Sequence, residues 1–319
     1  MILLSQKWFK ILFLGLDNAG KTSFLLSLEN KYSHLHSLRP TKGLYKYEYK
    51  ILGFSINLLD FGGQKIYRDE FFKKPENYIG TDLLFFLIDI QDRRRFAENG
   101  EFFEKLLFEF KMNDVSPDII ICFHKVDPDL LADPDSYIHD NIQIAERIFK
   151  SKSNGRKLEF HQTTIFDYSS LARAFSSGLL KIIKDFKKVT ETIFADFMAK
   201  TDANGVCLLG ENALILSDLY DEKTEARDII EIIGTNMAQM SQKLIEYNYG
   251  TPESIEIKMK GWSFFRTFEL EDKEVKEGGM KRFYLIIYSE NPKNFETINE
   301  LITNFTLTVA NTLKNFLKE

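Results

Sequence analysis

Residues 15–22, with the sequence Gly-Leu-Asp-Asn-Ala-Gly-Lys-Thr, constrain the fold of this chain more than any other segment. They match the pattern G-x-x-x-x-G-K-[ST], in which glycines allow backbone N–H groups to curl around phosphate oxygens. An apolar run over 9–14 precedes the pattern and an amphipathic run begins at Ser23, so the sequence predicts a strand, a tight loop and a helix in that order. The partial positive charge at the start of that helix would attract the same anion. The segment therefore predicts a phosphate-binding site.

Two side chains at the end of this loop have the chemistry expected beside a nucleotide. The Lys21 ammonium would contact the β- and γ-phosphates, and the Thr22 hydroxyl would ligate Mg²⁺. The other loop residues expected to contact the nucleotide, mainly through the backbone, are Asp17, Asn18, Ala19, Gly20 and Ser23.

The polar segment 31–43 follows the predicted helix and has no regular pattern. Its only threonine, Thr41, would give Mg²⁺ a second hydroxyl ligand and the γ-phosphate a backbone N–H, which would order the segment around a triphosphate. The alternative for Thr41 is an ordinary solvated loop residue.

A β-hairpin is predicted over residues 45–59, where tyrosines alternate with charged residues and an apolar run follows. It ends in Asp-Phe-Gly-Gly-Gln. Asp60, at a strand end, would hold Mg²⁺ through water, and the Gly63 N–H would contact the γ-phosphate. Gln64 is the predicted catalytic residue, because its amide would orient the attacking water.

A base-recognition motif is predicted after two apolar runs, 83–89 and 119–123, which have the composition of strands buried in a parallel sheet. The second run leads into His124, Lys125 and Asp127. The Asp127 carboxylate would accept from guanine N1–H and from the exocyclic amine, a donor pair that adenine lacks. The stem of Lys125 would cover the base.

A last strand is predicted over 160–165, and its end, Thr164 and Ile165, would present a backbone N–H to the guanine oxygen. The alternative for residues 124–127 is a plain turn at a strand end.

Composition limits the other functions that the chain can have. At 319 residues it is expected to contain two domains, and its net charge of −5 argues against nucleic acid as a partner. No apolar run approaches the roughly 20 residues of a spanning helix, and the sequence carries no lipidation signal, so we expect a cytoplasmic protein without a direct lipid anchor. Cys122 and Cys207 are expected to be reduced core residues, and the arginine run 93–95 a solvated loop.

These motifs together resemble a small GTPase of the Ras superfamily over about residues 8–186. Segments 15–22, 40–43 and 60–64 resemble both the Arf group and the Rag/Gtr group. The resemblance implies an α/β fold with a mostly parallel sheet, binding of GTP and GDP with Mg²⁺, and slow intrinsic hydrolysis of GTP. It also implies exchange and activating proteins as partners.

Later segments separate the two groups. The histidine that opens 124–127 and the segment 163–169, Thr-Thr-Ile-Phe-Asp-Tyr-Ser, resemble the Rag/Gtr form. Segments 40–43 and 92–95 are similar to Arf, but the chain departs from Arf in lacking an acylated amphipathic helix at its N-terminus. The resemblance therefore favours a Rag/Gtr-type GTPase with Arf-like features, recruited to membranes through partner proteins.

The pattern changes at about residue 187, where a second, α+β domain is predicted. Its predicted elements are helices over 187–200, 224–247 and 295–317, a hairpin over 206–217, and strands over 255–270 and 282–289. The residues expected on the apolar face of its middle helix are Ile229, Ile230, Ile233, Met237, Met240 and Leu244. The order α-β-β-α-β-β-α resembles the roadblock/longin-like domain of Rag/Gtr proteins. That resemblance implies a homodimer or heterodimer with another Rag/Gtr-like or roadblock-domain protein.

Three hypotheses of function follow. The main hypothesis is a GTP-hydrolysing switch that assembles through residues 187–319. The alternatives are a scaffold in which bound nucleotide is structural and turnover is small, and an Arf-like GTPase of membrane trafficking. Slow conversion of bound GTP to GDP separates the switch from the scaffold.

Overall fold

The computed structural model describes residues 8–29, 41–51, 54–210, 212–272 and 279–318. Most of the predicted loop segment 31–43 lies outside these residues; only its last three positions are described. The chain divides into two compact units, Met1–Ala174 and Phe175–Glu319, which are described separately.

The first unit contains a six-stranded sheet whose middle strands are the predicted apolar runs. Its strands are β1 (Trp8–Leu14), β2 (Leu44–Ile51), β3 (Phe54–Phe61), β4 (Leu83–Asp89), β5 (Asp118–His124) and β6 (Glu159–Thr163). They lie in the order β2-β3-β1-β4-β5-β6. Strand β2 is antiparallel to β3, and all other neighbouring pairs are parallel. The predicted α/β fold with a mostly parallel sheet is confirmed.

Helices connect these strands. They are α1 (Lys21–Leu28), α2 (Lys65–Phe72), α3 (Phe96–Met112), α4 (Pro128–Ala132), α5 (Tyr137–Lys152) and α6 (Tyr168–Ile182). The parallel pairing brings the carboxyl ends of β1, β3, β4, β5 and β6 to one edge of the sheet, where ligands bind in sheets of this kind. The phosphate loop, the segment that begins at Asp60, the base motif that begins at His124 and the segment that begins at Thr164 all lie at these strand ends.

An aromatic cluster joins α3 and α5 to the sheet. The ring centroid of Phe86, on β4, lies 5.3 Å from that of Phe103 and 5.5 Å from that of Phe149. The rings of Phe103 and Phe149 are 5.0 Å apart, and all three side chains are buried. Edge-to-face and tilted contacts of this kind add to the free energy of burying the rings.

The second unit contains a five-stranded antiparallel sheet with helices. Its elements are α7 (Lys184–Thr201), β7 (Gly205–Gly210), β8 (Ile215–Tyr220), α8 (Ala226–Glu246), β9 (Ser254–Lys258), β10 (Trp262–Asp272), β11 (Gly279–Ser289) and α9 (Phe295–Lys318). The sheet has the order β8-β7-β11-β10-β9. The prediction of one strand over 255–270 is wrong, because the chain reverses between β9 and β10. The Met259 N–H donates to the Gly261 carbonyl at 2.8 Å, and Lys258 pairs with Trp262.

The buried face of α8 also differs from the prediction. The residues of this helix that are buried are Ala226, Ile230, Gly234, Thr235, Ala238 and Ser241, of which only Ile230 was expected. At Gly234 a Cβ would lie 3.0 Å from a Leu209 side-chain atom and 3.2 Å from Ile286, so small residues allow the helix to approach the sheet closely. The five other residues of the predicted apolar face are left partly or largely accessible to solvent.

The division between the units falls inside α6, before the boundary predicted at 186/187. The hydroxyl of Ser176 accepts a hydrogen bond from the Ile215 N–H at 2.8 Å, which attaches the second half of α6 to β8. A single residue, Ile183, separates α6 from α7, and its φ of −92° and ψ of 37° are not helical. Within the described ranges, no helix is both long enough and apolar enough to cross a membrane.

We expect Phe103→Ala to lower the free energy of unfolding of the first unit by about 3–5 kcal/mol, because it removes a buried ring and leaves a cavity. The matched control is Phe108→Ala on the same helix, whose side chain is 57% exposed. It should change the free energy by less than about 0.5 kcal/mol. Urea denaturation followed by circular dichroism measures both values, and equal effects of the two substitutions would contradict the packing described above.

Candidate functional site

The predicted phosphate loop joins β1 to α1. Gly20 precedes the helix as its N-cap with a φ of +87°, a conformation that side chains disfavour. A Cβ there would lie 2.3 Å from a ring carbon of His124, so the loop and the predicted base motif are in direct contact. Because Gly20 has no side chain to cap the helix, it leaves the N–H groups of the first turn to a phosphate.

Lys21 is folded back over this loop. Its Nζ donates to the carbonyls of Gly15 at 3.1 Å and Leu16 at 2.9 Å, and the side chain is buried. Burial lowers the pKa of Lys21 to about 8, although the neighbouring Asp60 carboxylate acts in the opposite direction. A phosphate beside the ammonium would offset the cost of burying this charge.

The three predicted Mg²⁺ ligands lie together. The Thr22 hydroxyl donates to Asp60 Oδ2 at 2.6 Å and lies 2.9 Å from the Thr41 hydroxyl. Asp60 is fully buried, and burial raises its pKa against the influence of Lys21 and Thr22. Its Oδ1 is buried and has no hydrogen-bond partner among the described residues. Two hydroxyls and a carboxylate with an unpaired buried oxygen are oxygen donors of the kind that Mg²⁺ prefers, so the residues fit this ion.

Gly63 and Gln64 lie beside the phosphate loop. A Cβ on Gly63 would lie 2.2 Å from the Asp17 nitrogen and 2.2 Å from the Leu16 carbonyl carbon, so the two backbones are packed against each other. Gln64 precedes α2, and its carbonyl accepts from the N–H groups of Tyr67 and Arg68 at 3.0 Å. The Gln64 side chain is partly exposed at the start of that helix.

Asp127 is held by two side chains in the predicted base site. Its Oδ1 accepts from the Thr164 hydroxyl at 2.7 Å, and its Oδ2 accepts from Gln91 Nε2 at 3.0 Å. Gln91 Nε2 also donates to the Lys125 carbonyl at 2.8 Å. Each carboxylate oxygen keeps a second acceptor position, and two acceptors side by side fit the two donors of guanine.

His124 and Lys125, which precede Asp127 in the base motif, are held by other side chains. His124 is buried with its Nδ1 3.0 Å from the Thr163 hydroxyl, and burial, with a smaller effect from Lys125, lowers its pKa to about 3. The imidazole is therefore neutral at pH 7. Lys125 adopts a φ of +66°, and its Nζ donates to Asp89 Oδ2.

The two residues predicted to contact the guanine oxygen have different surroundings. The Thr164 N–H donates to the Ser170 hydroxyl at 3.1 Å, so this donor is already engaged, and the Thr164 side chain holds Asp127 instead. Ile165 is the other predicted donor. The backbone contact with the guanine oxygen stays a prediction, and the structure adds the contact of the Thr164 hydroxyl with the Asp127 carboxylate.

Sequence reasoning missed Asp89, Gln91 and Arg95. Asp89 pairs with His124 in the register of β4 and β5, which is why the residues after β4 reach the base motif. The expectation of a solvated arginine run holds for Arg94, whose side chain is 91% exposed, but not for Arg95. The Arg95 guanidinium donates to the Asp17 carbonyl at 3.0 Å and to Asp17 Oδ1 at 2.7 Å.

Comparison with known proteins identifies a family for the first unit of this chain. A family model described as the ADP-ribosylation factor family matches residues 1–176, which is more than half of the 319 residues. The chain is similar to ADP-ribosylation factor-like protein 3 of Chlamydomonas reinhardtii, with 37% identity over 107 residues, or 33% of this chain and 57% of that protein. It is also similar to the small COPII coat GTPase SAR1 of Nicotiana tabacum, with 38% identity over 102 residues, or 32% of this chain and 49% of that protein.

Among solved structures, the Arl6 BBS3 small GTPase of Trypanosoma brucei, which holds a bound nucleotide analogue, aligns with 53% of this chain and 94% of its own. The identity is 15% and the TM-score 0.41. The chain spans about half the length of the curated relatives it matches, with 57% and 49% of the two named above. The match of the family model over more than half of the sequence establishes the family, and the chain belongs to the ADP-ribosylation factor family.

Proposed function

We propose that this chain is a guanine-nucleotide-dependent switch that binds GTP and GDP with Mg²⁺ and hydrolyses GTP slowly. The observation that carries the proposal is the meeting of two clusters at one edge of the sheet. One cluster contains Lys21, Thr22, Thr41 and Asp60, and the other is centred on Asp127. Family membership supports it, because small GTPases of this family bind these nucleotides with Mg²⁺ and hydrolyse GTP.

The phosphate end of the site would bind phosphate through a fixed positive charge and backbone N–H donors. Lys21 presents a buried ammonium, and the start of α1 presents N–H groups along the helix axis. Thr22, Thr41 and Asp60 supply oxygen ligands, and the bound Mg²⁺ would neutralise charge that develops on the phosphates. Thr41 lies in this cluster, so we propose that its hydroxyl ligates Mg²⁺ when a triphosphate is bound.

The base end of the site would select guanine. Gln91 and Thr164 each donate to one oxygen of Asp127 and so fix the plane of the carboxylate. The remaining acceptor positions fit the N1–H and amine of guanine, whereas adenine would leave these two positions without a donor. A charged acceptor that loses water without gaining a donor is costly, which makes this contact selective.

Slow hydrolysis is expected because the arginine that contacts the phosphate loop in the described part of the chain is already paired. Gln64 lies at the start of α2 beside the phosphate loop. Arg95 is the arginine that contacts the phosphate loop. Its guanidinium already donates to Asp17 and Glu98. In Ras, an arginine supplied by a partner raises the rate by about 10⁵, so we propose activating and exchange proteins as partners.

Family membership also supports the Arf-like alternative, a GTPase that acts in membrane trafficking. The two named relatives are an ADP-ribosylation factor-like protein and a coat GTPase, which favours a role near membranes. We propose that such recruitment would use partner proteins.

The second unit supports assembly with another subunit, as in the Rag/Gtr-like hypothesis. The bulky apolar residues of α8 that flank its small buried face form a partly accessible stripe along the helix: Ile229, Ile233, Met237, Met240 and Leu244. Met240 is 38% exposed. Strand β9 pairs only with β10 among the described strands, so its other edge is also open to pairing. A roadblock-type pairing with a second copy or a related chain would cover both features.

We expect Asp127→Asn to shift preference from guanine to xanthine nucleotides. An asparagine amide donates where the second carbonyl oxygen of xanthine replaces the guanine amine. Competition of GDP and XDP for a fluorescent nucleotide measures the preference. The control is Asp129→Asn in the neighbouring helix α4. An unchanged base preference in Asp127→Asn would count against this residue as the base-recognising group.

We expect Gln64→Leu to leave nucleotide affinity intact and to slow single-turnover hydrolysis of GTP, because leucine cannot orient water. Release of nucleotide from the purified chain, followed by chromatography over hours, measures the conversion of GTP to GDP. Fast turnover that is indifferent to this substitution would refute the role of Gln64. No conversion in the wild type would favour the nucleotide-loaded scaffold.

We expect the full chain to dimerise and Met240→Glu to favour the monomer, because the substitution would bury a charge in the proposed interface. Light scattering measures the mass against the 37.2 kDa of one chain. The control is Gln239→Glu, which makes the same change of charge at the adjacent position, 100° away around the helix. A wild type that stays monomeric at high concentration, alone and with related chains, would contradict assembly through this face.

A further inference from the structure

Arg95 is attached to the phosphate loop by two hydrogen bonds. They reach the carbonyl and the carboxylate of Asp17 at 3.0 Å and 2.7 Å. Burial alone would raise the pKa of Asp17, but the Arg95 guanidinium lowers it overall, so the carboxylate is ionised at pH 7. The neighbouring Arg94 makes no such contact among the described residues and pairs only with Asp92.

Glu98 continues this contact toward α2. Its Oε2 accepts from Arg95 Nε at 3.3 Å, and its Oε1 accepts from Arg68. Arg68 lies on α2, four residues after Gln64, with its guanidinium 5.2 Å from the centre of the Phe102 ring. Its side chain is only 12% exposed. Positive and negative groups thus alternate from the phosphate loop to the helix that begins after the predicted catalytic residue.

This chain of charges lies at the end of the site where a third phosphate would bind. Gly63, the proposed donor to the γ-phosphate, is packed against the backbone of Asp17. The same Asp17 residue accepts both hydrogen bonds from Arg95, so the Arg95–Asp17 pair lies directly beside the proposed γ-phosphate donor.

We propose that Arg95 is a positioning residue for the γ-phosphate end of the site. It neutralises the Asp17 carboxylate and, through Glu98 and Arg68, fixes α2 and the adjoining Gln64 against the phosphate loop. This inference rests on the proposed function of guanine-nucleotide binding.

The negative charge of Asp17 explains why the loss of Arg95 should affect GTP binding and GDP binding differently. Without Arg95, the ionised Asp17 would stand beside the proposed γ-phosphate donor with no counter-charge. A triphosphate brings more negative charge to that end than a diphosphate does. Loss of Arg95 should therefore weaken binding of the triphosphate more than binding of the diphosphate.

The first test measures the affinities of the full-length chain for GDP and for a non-hydrolysable GTP analogue with Mg²⁺. We expect Arg95→Met to lower the ratio of triphosphate to diphosphate affinity about tenfold, the size of one like charge acting through partly screened protein. Arg94→Met is the matched control and should leave the ratio unchanged. Adding Asp17→Asn to Arg95→Met should restore the ratio, because the uncompensated carboxylate is gone. A merely structural loss would not be rescued in this way.

The second test measures hydrogen exchange of the backbone amides of α2 in the nucleotide-free chain. Arg95→Met and Glu98→Gln should both speed exchange over Lys65–Phe72, whereas Arg94→Met should not, and α5 serves as the internal reference.

The inference is overturned if Arg95→Met behaves as Arg94→Met does in both tests, or if Asp17→Asn fails to restore the affinity ratio. A wild type that binds no guanine nucleotide would overturn the proposed function and the γ-phosphate role together, which is a different outcome from normal GDP binding with an unchanged ratio.

Discussion

Two buried charges of opposite sign, the Lys21 ammonium and the Asp60 carboxylate, are the constraint on which the proposed site depends. Burial shifts both pKa values toward the neutral forms, lowering that of Lys21 to about 8 and raising that of Asp60. Each group opposes the shift of the other, and the Thr22 hydroxyl donates to the carboxylate at 2.6 Å. Such a pair is costly to bury unless further partners complete it. Phosphate beside the ammonium and Mg²⁺ beside the carboxylate are the partners that this arrangement suits.

The parallel sheet brings these charges together from distant parts of the chain. Strands β1 and β3 are paired in register up to Phe13 and Asp60, so the phosphate loop and Asp60 leave the sheet at the same edge. The register of β4 and β5 ends with Asp89 opposite His124, which brings Gln91 to the base motif. His124 then touches Gly20, so the base end and the phosphate end share a packed contact.

The two units bury the surface between sheet and helices with side chains of different size. In the first unit, large aromatic rings such as Phe86 and Phe103 fill the space between sheet and helices. In the second, α8 approaches its sheet with small residues, among them Gly234 and Ala238. A helix that lies this close leaves its bulky side chains at the flank, where Met240 remains partly exposed. The same packing therefore creates an apolar surface that a partner could cover, which is the physical basis for the assembly proposed here.

Sequence alone determined the local chemistry of the site. The spacing of Gly15, Gly20 and Lys21 predicts a phosphate loop because the backbone geometry that curls around an anion demands those residues in that order. Asp60 and Asp127 were also predicted, since each follows an apolar run that becomes a buried strand. Tertiary structure decided the rest. Atoms from other elements decide whether Arg95 is solvated or bound to Asp17. They also decide whether the N–H of Thr164 is already engaged within the chain. The face of α8 that is buried likewise depends on how closely its sheet lies, because a periodic pattern defines several adjacent faces and only packing selects one.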